Sequence, residues 1–298
     1  MSLDEIQSTI ERAADKQGPG VVGVGRGWRV GSGTVIATGR VLTAAHHAHP
    51  DGATVRFADG RRESGELIAV DRDLDLAVLA ADTADVEPLA WANGDSPLSI
   101  GTPVLGLGNP GGRGLRATLG FVAASERSFR GPRGRRISGA IEHTASLPRG
   151  SAGGPLLDAE GRVLGINVLR LEGGLIIALG VAGGLRQTAE RLAEGEQPDR
   201  PYLGVAVAPP RVARRMRRAV GLPERDGVLV RAVEGGSAAE RAGVVEGDLI
   251  VAAAGRQLDG VDSLHRALDE AARNGSLALT VVRGTDEHEL EVELRSAT

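Results

Sequence analysis

Three short stretches of this chain carry residues whose types and spacing suit acyl transfer. Thr43-Ala44-Ala45-His46 ends an apolar run with an imidazole. Asp71-Arg72-Asp73-Leu74-Asp75 brings carboxylates to the start of the apolar run Leu76-Ala77-Val78-Leu79. Leu147-Pro148-Arg149-Gly150-Ser151-Ala152-Gly153-Gly154-Pro155 is a glycine-rich loop. Opening an amide through a covalent intermediate needs a hydroxyl, an imidazole to take its proton, and a carboxylate to fix the imidazole's tautomer. His46 is the candidate base. Asp75, which directly precedes the apolar strand, is a better partner for it than Asp73. With serine at 152 the loop would read Gly-x-Ser-Gly-Gly-Pro, but position 152 is alanine. The chain as written lacks the attacking oxygen and cannot transfer an acyl group through that residue. Gly150 permits a tight loop, so the backbone amides of Gly150 and Ala152 are expected to face a developing oxyanion whatever the side chain at 152.

Two neighbouring patterns compete with this reading. Ser151 carries a hydroxyl, but it sits one residue early and adjacent side chains in such a loop diverge, so it is expected to be inert. His46-His47-Ala48-His49 clusters imidazoles at a spacing that suits no helix face, and no carboxylate is specified to complete a metal site with them. No metal site and no cofactor are expected.

These groups need rigid elements behind them. A length of 298 residues suggests two domains. Hydrophobic residues make up 41% and aromatics only 2%, so the cores must be built from Val, Leu, Ile and Ala. The 44 glycines fit many short strands joined by tight turns. Strands are expected at Val21–Val24, Thr34–Ile36, Val41–Ala44, Leu67–Val70, Leu76–Leu79, Val104–Leu107, Ala117–Ala124, Ile137–Glu142, Val163–Val168 and Leu175–Val181. Helices are expected at Leu3–Ala14 and, with Leu185, Ala189 and Leu192 on one face, at Leu185–Glu194. The polar stretch Gly195-Glu196-Gln197-Pro198-Asp199-Arg200-Pro201 is the best boundary, giving domains 1–197 and 198–298. Beyond it, strands are expected at Leu203–Val207, Val228–Val233, Leu249–Ala253, Leu277–Arg283 and Glu289–Leu294. Helices are expected there at Ser237–Ala242 and Ser263–Asn274, the second capped by Ser263. No internal repeat is visible.

Composition excludes several classes. There is no cysteine, hence no disulfide, thiolate zinc site or cysteine nucleophile. A net charge of −4 gives no general attraction to nucleic acid. No run approaches about 18 apolar residues, so no membrane segment is expected. Met1 to Lys16 has neither an apolar h-region nor a small-residue cleavage site, so it does not read as a signal peptide. The arginine run Arg127, Arg130, Arg133, Arg135 and Arg136, interleaved with Gly131, Pro132 and Gly134, is expected to be a solvated loop.

Taken together, Gly31-Ser32-Gly33-Thr34-Val35-Ile36 to His46, Asp71 to Leu79, Gly108-Asn109-Pro110-Gly111, Gly150 to Pro155, Gly161 to Asn167 and Ile177 to Ala182 resemble the HtrA/Deg family of trypsin-like serine proteases. The order His, Asp, nucleophile is that of chymotrypsin-like folds. The resemblance covers nearly the whole chain, since that family carries a C-terminal PDZ domain. It implies a mostly β architecture, a chymotrypsin-like double β-barrel followed by a small α+β PDZ domain. It implies a serine endopeptidase that degrades unfolded or damaged proteins in the cell envelope, here inactive through Ala152. With no leader in evidence, the location would be cytoplasmic if the chain is full length. A trimer is also implied, although the aromatics near the N terminus, where family trimers pack, are scarce. The alternative is a natural pseudoprotease, a peptide-binding or chaperone-like scaffold using the same groove.

Further expectations attach to each domain. Ser146, six residues before position 152, stands where cleavage after Arg or Lys would need an acid; with Leu147, Ile176 and Ile177 it would form an aliphatic specificity pocket. Arg200-Pro201-Tyr202-Leu203-Gly204-Val205 resembles a PDZ carboxylate-binding loop. Tyr202, Leu203, Gly204, Val205 and Val207 would receive a C-terminal peptide, with Leu264 and Leu268 lining the pocket for its last side chain. The resemblance further implies that ligation reorders loops near 127–136 and 169–175 and completes the oxyanion hole. The expected partners are therefore unfolded protein or peptide substrates and C-terminal peptides, with no nucleic acid.

Overall fold

Short Val- and Leu-rich runs separated by glycine turns can bury one face each by closing into a barrel, and the first part of this chain does so twice. The computed structural model describes residues 3–27, 29–94, 97–198, 200–272 and 274–294. Asp199 of the expected linker and Arg273 of the expected last helix lie outside them. The chain divides into two units, Met1–Pro198 and Asp199–Thr298.

In the first unit, α1 (Leu3–Gln17) precedes six strands, β1 (Val21–Arg26), β2 (Arg29–Ala37), β3 (Arg40–Ala44), β4 (Ala53–Arg56), β5 (Arg62–Asp71) and β6 (Leu76–Ala80). They close in the order β1-β2-β3-β6-β5-β4. A second set follows, β7 (Pro103–Gly108), β8 (Arg116–Arg130), β9 (Arg136–His143), β10 (Pro155–Leu157), β11 (Val163–Arg170) and β12 (Ile176–Gly180). It closes as β7-β8-β9-β12-β11-β10, the same order counted from its own first strand. The two halves thus share a topology that the sequence does not advertise as a repeat.

One hydrophobic cluster runs through both barrels. Leu42, Leu76 and Val78 of the first meet Leu107, Ile166 and Leu179 of the second. Ala13 of α1 and Leu185, Ala189 and Leu192 of α2 (Leu185–Ala193) complete it. Each fully buried Leu contributes roughly 1.5–3 kcal/mol relative to exposure, so this shared cluster helps hold the two barrels together.

The arginine-rich stretch differs from expectation. It is the end of a long β-hairpin, with Phe129 opposite Ile137 and Arg130 opposite Arg136. Its density of Arg, Gly and Pro resembles a loop, but Phe129 and Ile137 belong to the shared core and draw the strands inward.

The second unit is a twisted sheet ordered β13 (Val205–Ala208), β14 (Val228–Val233), β15 (Leu249–Ala253), β17 (Ser276–Arg283), β18 (Asp286–Glu293), with β16 (Arg256–Gln257) paired to β15. Its helices are α3 (Pro210–Ala219), α4 (Ala238–Arg241) and α5 (Val261–Ala271). Helix α3 is not expected from the sequence pattern. Pro210 stands in its first turn, a favoured place, while five arginines hide its inward positions Ala213 and Arg217. Buried Arg217 is satisfied by donating to the carbonyls of Pro223 (3.0 Å) and Gly284 (3.1 Å). Helix α5 starts at Val261, so Ser263 is not its N-cap; its Oγ instead accepts from the N–H of Gly260 at 3.1 Å. Ser237 caps α4 through the Glu240 N–H.

Gly23 marks where β1 meets the turn after β7. A Cβ at 23 would stand 1.9 Å from the Gly112 nitrogen. Gly23→Ala is expected to destabilise the first unit by about 1–3 kcal/mol, the usual scale of overpacking, read as a lower urea midpoint with an unchanged denaturant slope.

Candidate active site

The catalytic carboxylate candidate sits in a turn whose geometry follows from its neighbours. Asp71 pairs with Leu76, so residues 72–75 must reverse the chain between β5 and β6. Asp71 Oδ1 accepts the N–H groups of Asp73 and Leu74, both at 3.0 Å, and closes the turn. The chain leaves through Asp75 at φ 57°, the left-handed region that Asp tolerates better than most residues, at roughly 1–2 kcal/mol. This aims the carboxylate at His46. Asp75 Oδ1 accepts the His46 backbone N–H at 3.0 Å and Oδ2 lies 2.6 Å from His46 Nδ1. The Asp75 carbonyl accepts the Ala45 N–H at 2.9 Å. A carboxylate at Nδ1 places the ring proton there and leaves Nε2 as the basic nitrogen. The His46 side chain is 53% exposed and that of Asp75 15%, so the imidazole reaches solvent while its partner is sheltered. Asp73 is engaged elsewhere, by Arg135 Nε at 3.1 Å.

Behind His46 lies a second imidazole. His47 packs on Gly31, where a Cβ would stand 2.0 Å from its ring. Its ring centroid is 3.9 Å from that of His46. Burial first, and then the charge of His46, push the His47 pKa down to about 4 against the opposing pull of Asp75. His47 is therefore neutral at ordinary pH. His49 turns away to Asp51 and Arg26, so the three imidazoles serve separate partners.

The loop from 150 to 154 belongs to the second barrel but hangs from β2 of the first. Ser32 donates its N–H to the Ala152 carbonyl (3.1 Å) and its hydroxyl to the Gly150 carbonyl (2.9 Å). Its Oγ also accepts the Asn109 N–H at 2.9 Å. Thr34 Oγ1 donates to the Gly153 carbonyl at 2.9 Å. From the other side, the Asn167 carbonyl accepts the Gly153 N–H (2.8 Å), and Asn167 Nδ2 donates to the Gly154 and Pro155 carbonyls. With Nδ2 so committed, Asn167 Oδ1 must accept, and it takes the Nε2–H of buried His143 at 2.9 Å. Burial pushes the His143 pKa down. Among the described residues, every bond that holds Gly150 and Ala152 uses their carbonyls, leaving both amides unengaged. The Ser151 hydroxyl is buried beside Gly108.

Ser32, Thr34, His143 and Asn167 were given no role by the sequence reading. Ser32, Thr34 and Asn167 lie within the stretches that carry the resemblance, and the signal for His143 is polarity inside an apolar strand. The specificity residues are placed unevenly. Ser146 is exposed. Ile176 and Ile177 are buried on β12 opposite His143 and Glu142. Leu147 is 2% exposed and packs against Gly106 inside the barrel, so it offers core rather than open pocket wall.

In the second unit, Gly204 at φ 83° leaves no room for a side chain, since a Cβ would meet Ser237 at 2.1 Å. Among the described residues, strand β13, carrying Val205 and Val207, pairs only with β14 and leaves its other edge open. Half-buried Val205 and Val207 pack on a core that contains Leu203, Leu264 and Leu268. Those last two are almost wholly enclosed, deeper than residues that line an open pocket. Tyr202 is half-buried.

Residues 31–166 match the trypsin-like peptidase domain and residues 201–294 the PDZ domain. The chain is 34% identical over 280 residues to the putative serine protease HhoA of Synechocystis sp., covering 88% of this chain and 70% of that protein. It is 30% identical over 277 residues to a probable periplasmic serine endoprotease, DegP-like, of Bartonella henselae, covering 89% of this chain and 53% of the relative. It thus spans about half the length of that relative. Among solved structures, the HtrA-type protease AlgW with decapeptide superimposes with a TM-score of 0.65 at 22% identity, covering 97% of this chain and 99% of that one. The serine endoprotease from Yersinia pestis gives 0.63 at 23% identity over 97% and 98% of the two chains. At these identities the likeness is one of fold.

Two outcomes are expected. Ser32→Ala leaves the half-buried Gly150 carbonyl and the buried Asn109 N–H without their partner and should cost about 1–3 kcal/mol in urea unfolding. His47 resists in the folded state a proton that the unfolded chain takes up near pH 6.5. Its burial therefore contributes stability that is complete above that pH and is lost as pH falls toward about 4. His47→Leu should flatten this part of the stability–pH curve.

Proposed function

We propose, from the premise that this chain belongs to the HtrA/Deg family of trypsin-like serine proteases, that it is the hydroxyl-free form of an endopeptidase acting on unfolded or damaged proteins. The observation that carries this reading is the intact His46–Asp75 pair, 2.6 Å between Nδ1 and Oδ2, beside a loop whose Gly150 and Ala152 amides are left unengaged. In the serine form, Oγ at 152 attacks the scissile carbonyl and His46 Nε2 takes its proton. Asp75 holds the resulting imidazolium, and the two amides receive the oxyanion. His46 then returns the proton to the leaving amine, and water completes hydrolysis by the same steps. With alanine at 152 the groove can hold a chain but not open it.

The second unit is read as a peptide-binding module. The open edge of β13 supports addition of a peptide strand, and Gly204 at φ 83° supports a close-fitting carboxylate loop. The periplasmic name of the Bartonella relative supports work outside the cytoplasm. Among the described residues no helix is long and apolar enough to cross a membrane. A second reading, a natural pseudoprotease scaffold, is favoured by Ala152 itself. A scaffold has no chemical use for a bonded His–Asp pair, and that weighs toward the first.

Ala152→Ser is expected to restore casein cleavage, and His46→Ala in that background to abolish it. Absence of cleavage, even with C-terminal peptides added, favours the scaffold. A peptide library should show cutting after Val, Ala, Ile or Leu; dominant cutting after Arg overturns the aliphatic pocket. Amidation of a bound C-terminal peptide should weaken its binding to the second unit.

A further inference from the structure

The turn that carries Asp75 is held from the opposite barrel. The tip of the β8–β9 hairpin lies directly on Asp73: a Cβ at Gly131 would stand 2.1 Å from the Asp73 carbonyl oxygen. Only glycine lets the two backbones approach this closely. The same tip supplies Arg135, whose Nε meets Asp73 Oδ2 at 3.1 Å, with the two side chains 17% and 9% exposed. The tip is itself braced. The Gly131 N–H donates to the Arg135 carbonyl and the Gly134 N–H to the Gly131 carbonyl, both at 2.9 Å. Ile137, just beyond, is anchored in the shared core. Asp73 is two residues from Asp75 and inside the same four-residue turn, and Asp75 is the turn residue in the left-handed region.

We propose that Arg135 is a positioning residue for the His46–Asp75 pair: by clamping Asp73 it fixes the turn that aims the Asp75 carboxylate at His46. This rests on the reading of His46 and Asp75 as base and orienting acid. The mechanism is mechanical and electrostatic. A carboxylate as enclosed as that of Asp73 needs its cation. Removing Arg135 takes away a sheltered ion-pair partner of Asp73 and with it a tie on the turn. Asp75 then loses the strained conformation from which it makes two bonds to His46. The Asp71 bonds to the Asp73 and Leu74 amides close the turn from within. The clamp adds what they cannot, a link from the turn to the barrel that bears residue 152.

The experiment uses the chain as it stands, with alanine at 152. The low-field proton resonance of His46 Nδ1–H reports its bond to Asp75 directly. Arg135→Met keeps the aliphatic stem and removes the charge, and Arg135→Lys restores the charge. The Met variant, shown to be folded by its methyl spectrum, should lose or broaden the resonance, and the Lys variant should recover it at least in part. In the Ala152→Ser background, Arg135→Met should lower kcat by roughly 10- to 100-fold with KM changed by less than about twofold. A folded Arg135→Met protein that keeps both the resonance and kcat overturns the proposal. Should Arg135→Met fail to fold, Asp73→Asn dissolves the ion pair at constant shape and is read by the same two measurements with the same overturning result. Loss of the resonance alongside an Ala152→Ser protein that cuts nothing sustains the clamp and removes the protease reading. Restored cleavage with the resonance and kcat indifferent to residue 135 does the reverse.

Discussion

His46 and Asp75 stand on one barrel and the loop at 150–154 on the other, so the arrangement depends on directional bonds across a seam. Ser32 is the centre of them. Its amide and hydroxyl hold the carbonyls of Ala152 and Gly150, its carbonyl receives the Thr43 hydroxyl, and its Oγ receives the Asn109 amide. Such bonds fix positions only if their ends cannot drift. The shared cluster of Leu42, Leu76, Leu107 and Ile166 beneath the seam supplies that stiffness. Apolar packing sets the distance between the barrels, and buried hydrogen bonds, costly to leave unmade, set the register.

Nothing in this network uses the side chain of residue 152. The loop is held by the carbonyls of Gly150, Ala152, Gly153 and Gly154, and the imidazole by Asp75. The side chain at 152 can therefore carry or lack a hydroxyl without changing how the loop and the imidazole are held. The His47 imidazole, uncharged and packed on Gly31, lets His46 work without a second cation at its back.

The sequence reading went furthest where residue type and local spacing act together. His46, Asp75 and the Gly-rich loop were legible because their chemistry demands particular residues in a short window. So were α2, through its apolar stripe, and most strands, through their glycine punctuation, whereas β4 (Ala53–Arg56), β10 (Pro155–Leu157) and β16 (Arg256–Gln257) are not expected from the sequence. What escaped depends on partners distant in the chain. Ser32 and Thr34 look like small strand residues until the loop from 150 to 154 is laid against them, more than a hundred positions away. His143 is ordinary until Asn167 meets it. The arginine-rich hairpin and α3 were misread or missed for a common reason. Long cationic side chains hide an inward face when only charge is counted, yet Phe129, Ala213 and Arg217 are inward. The twofold barrel topology was invisible because strand order follows alternation of burial, which many unrelated sequences satisfy.

The open margin of β13 has a consequence for solubility. An unpaired strand margin is a template for any extended chain, including another copy of the same protein, and sheets that join margin to margin grow without limit. Here the margin runs for only four residues, Val205–Ala208, before Pro209 and Pro210 end it. Proline offers no amide to a neighbouring strand. A margin this short gives a growing fibril too little backbone to hold on that side of the sheet.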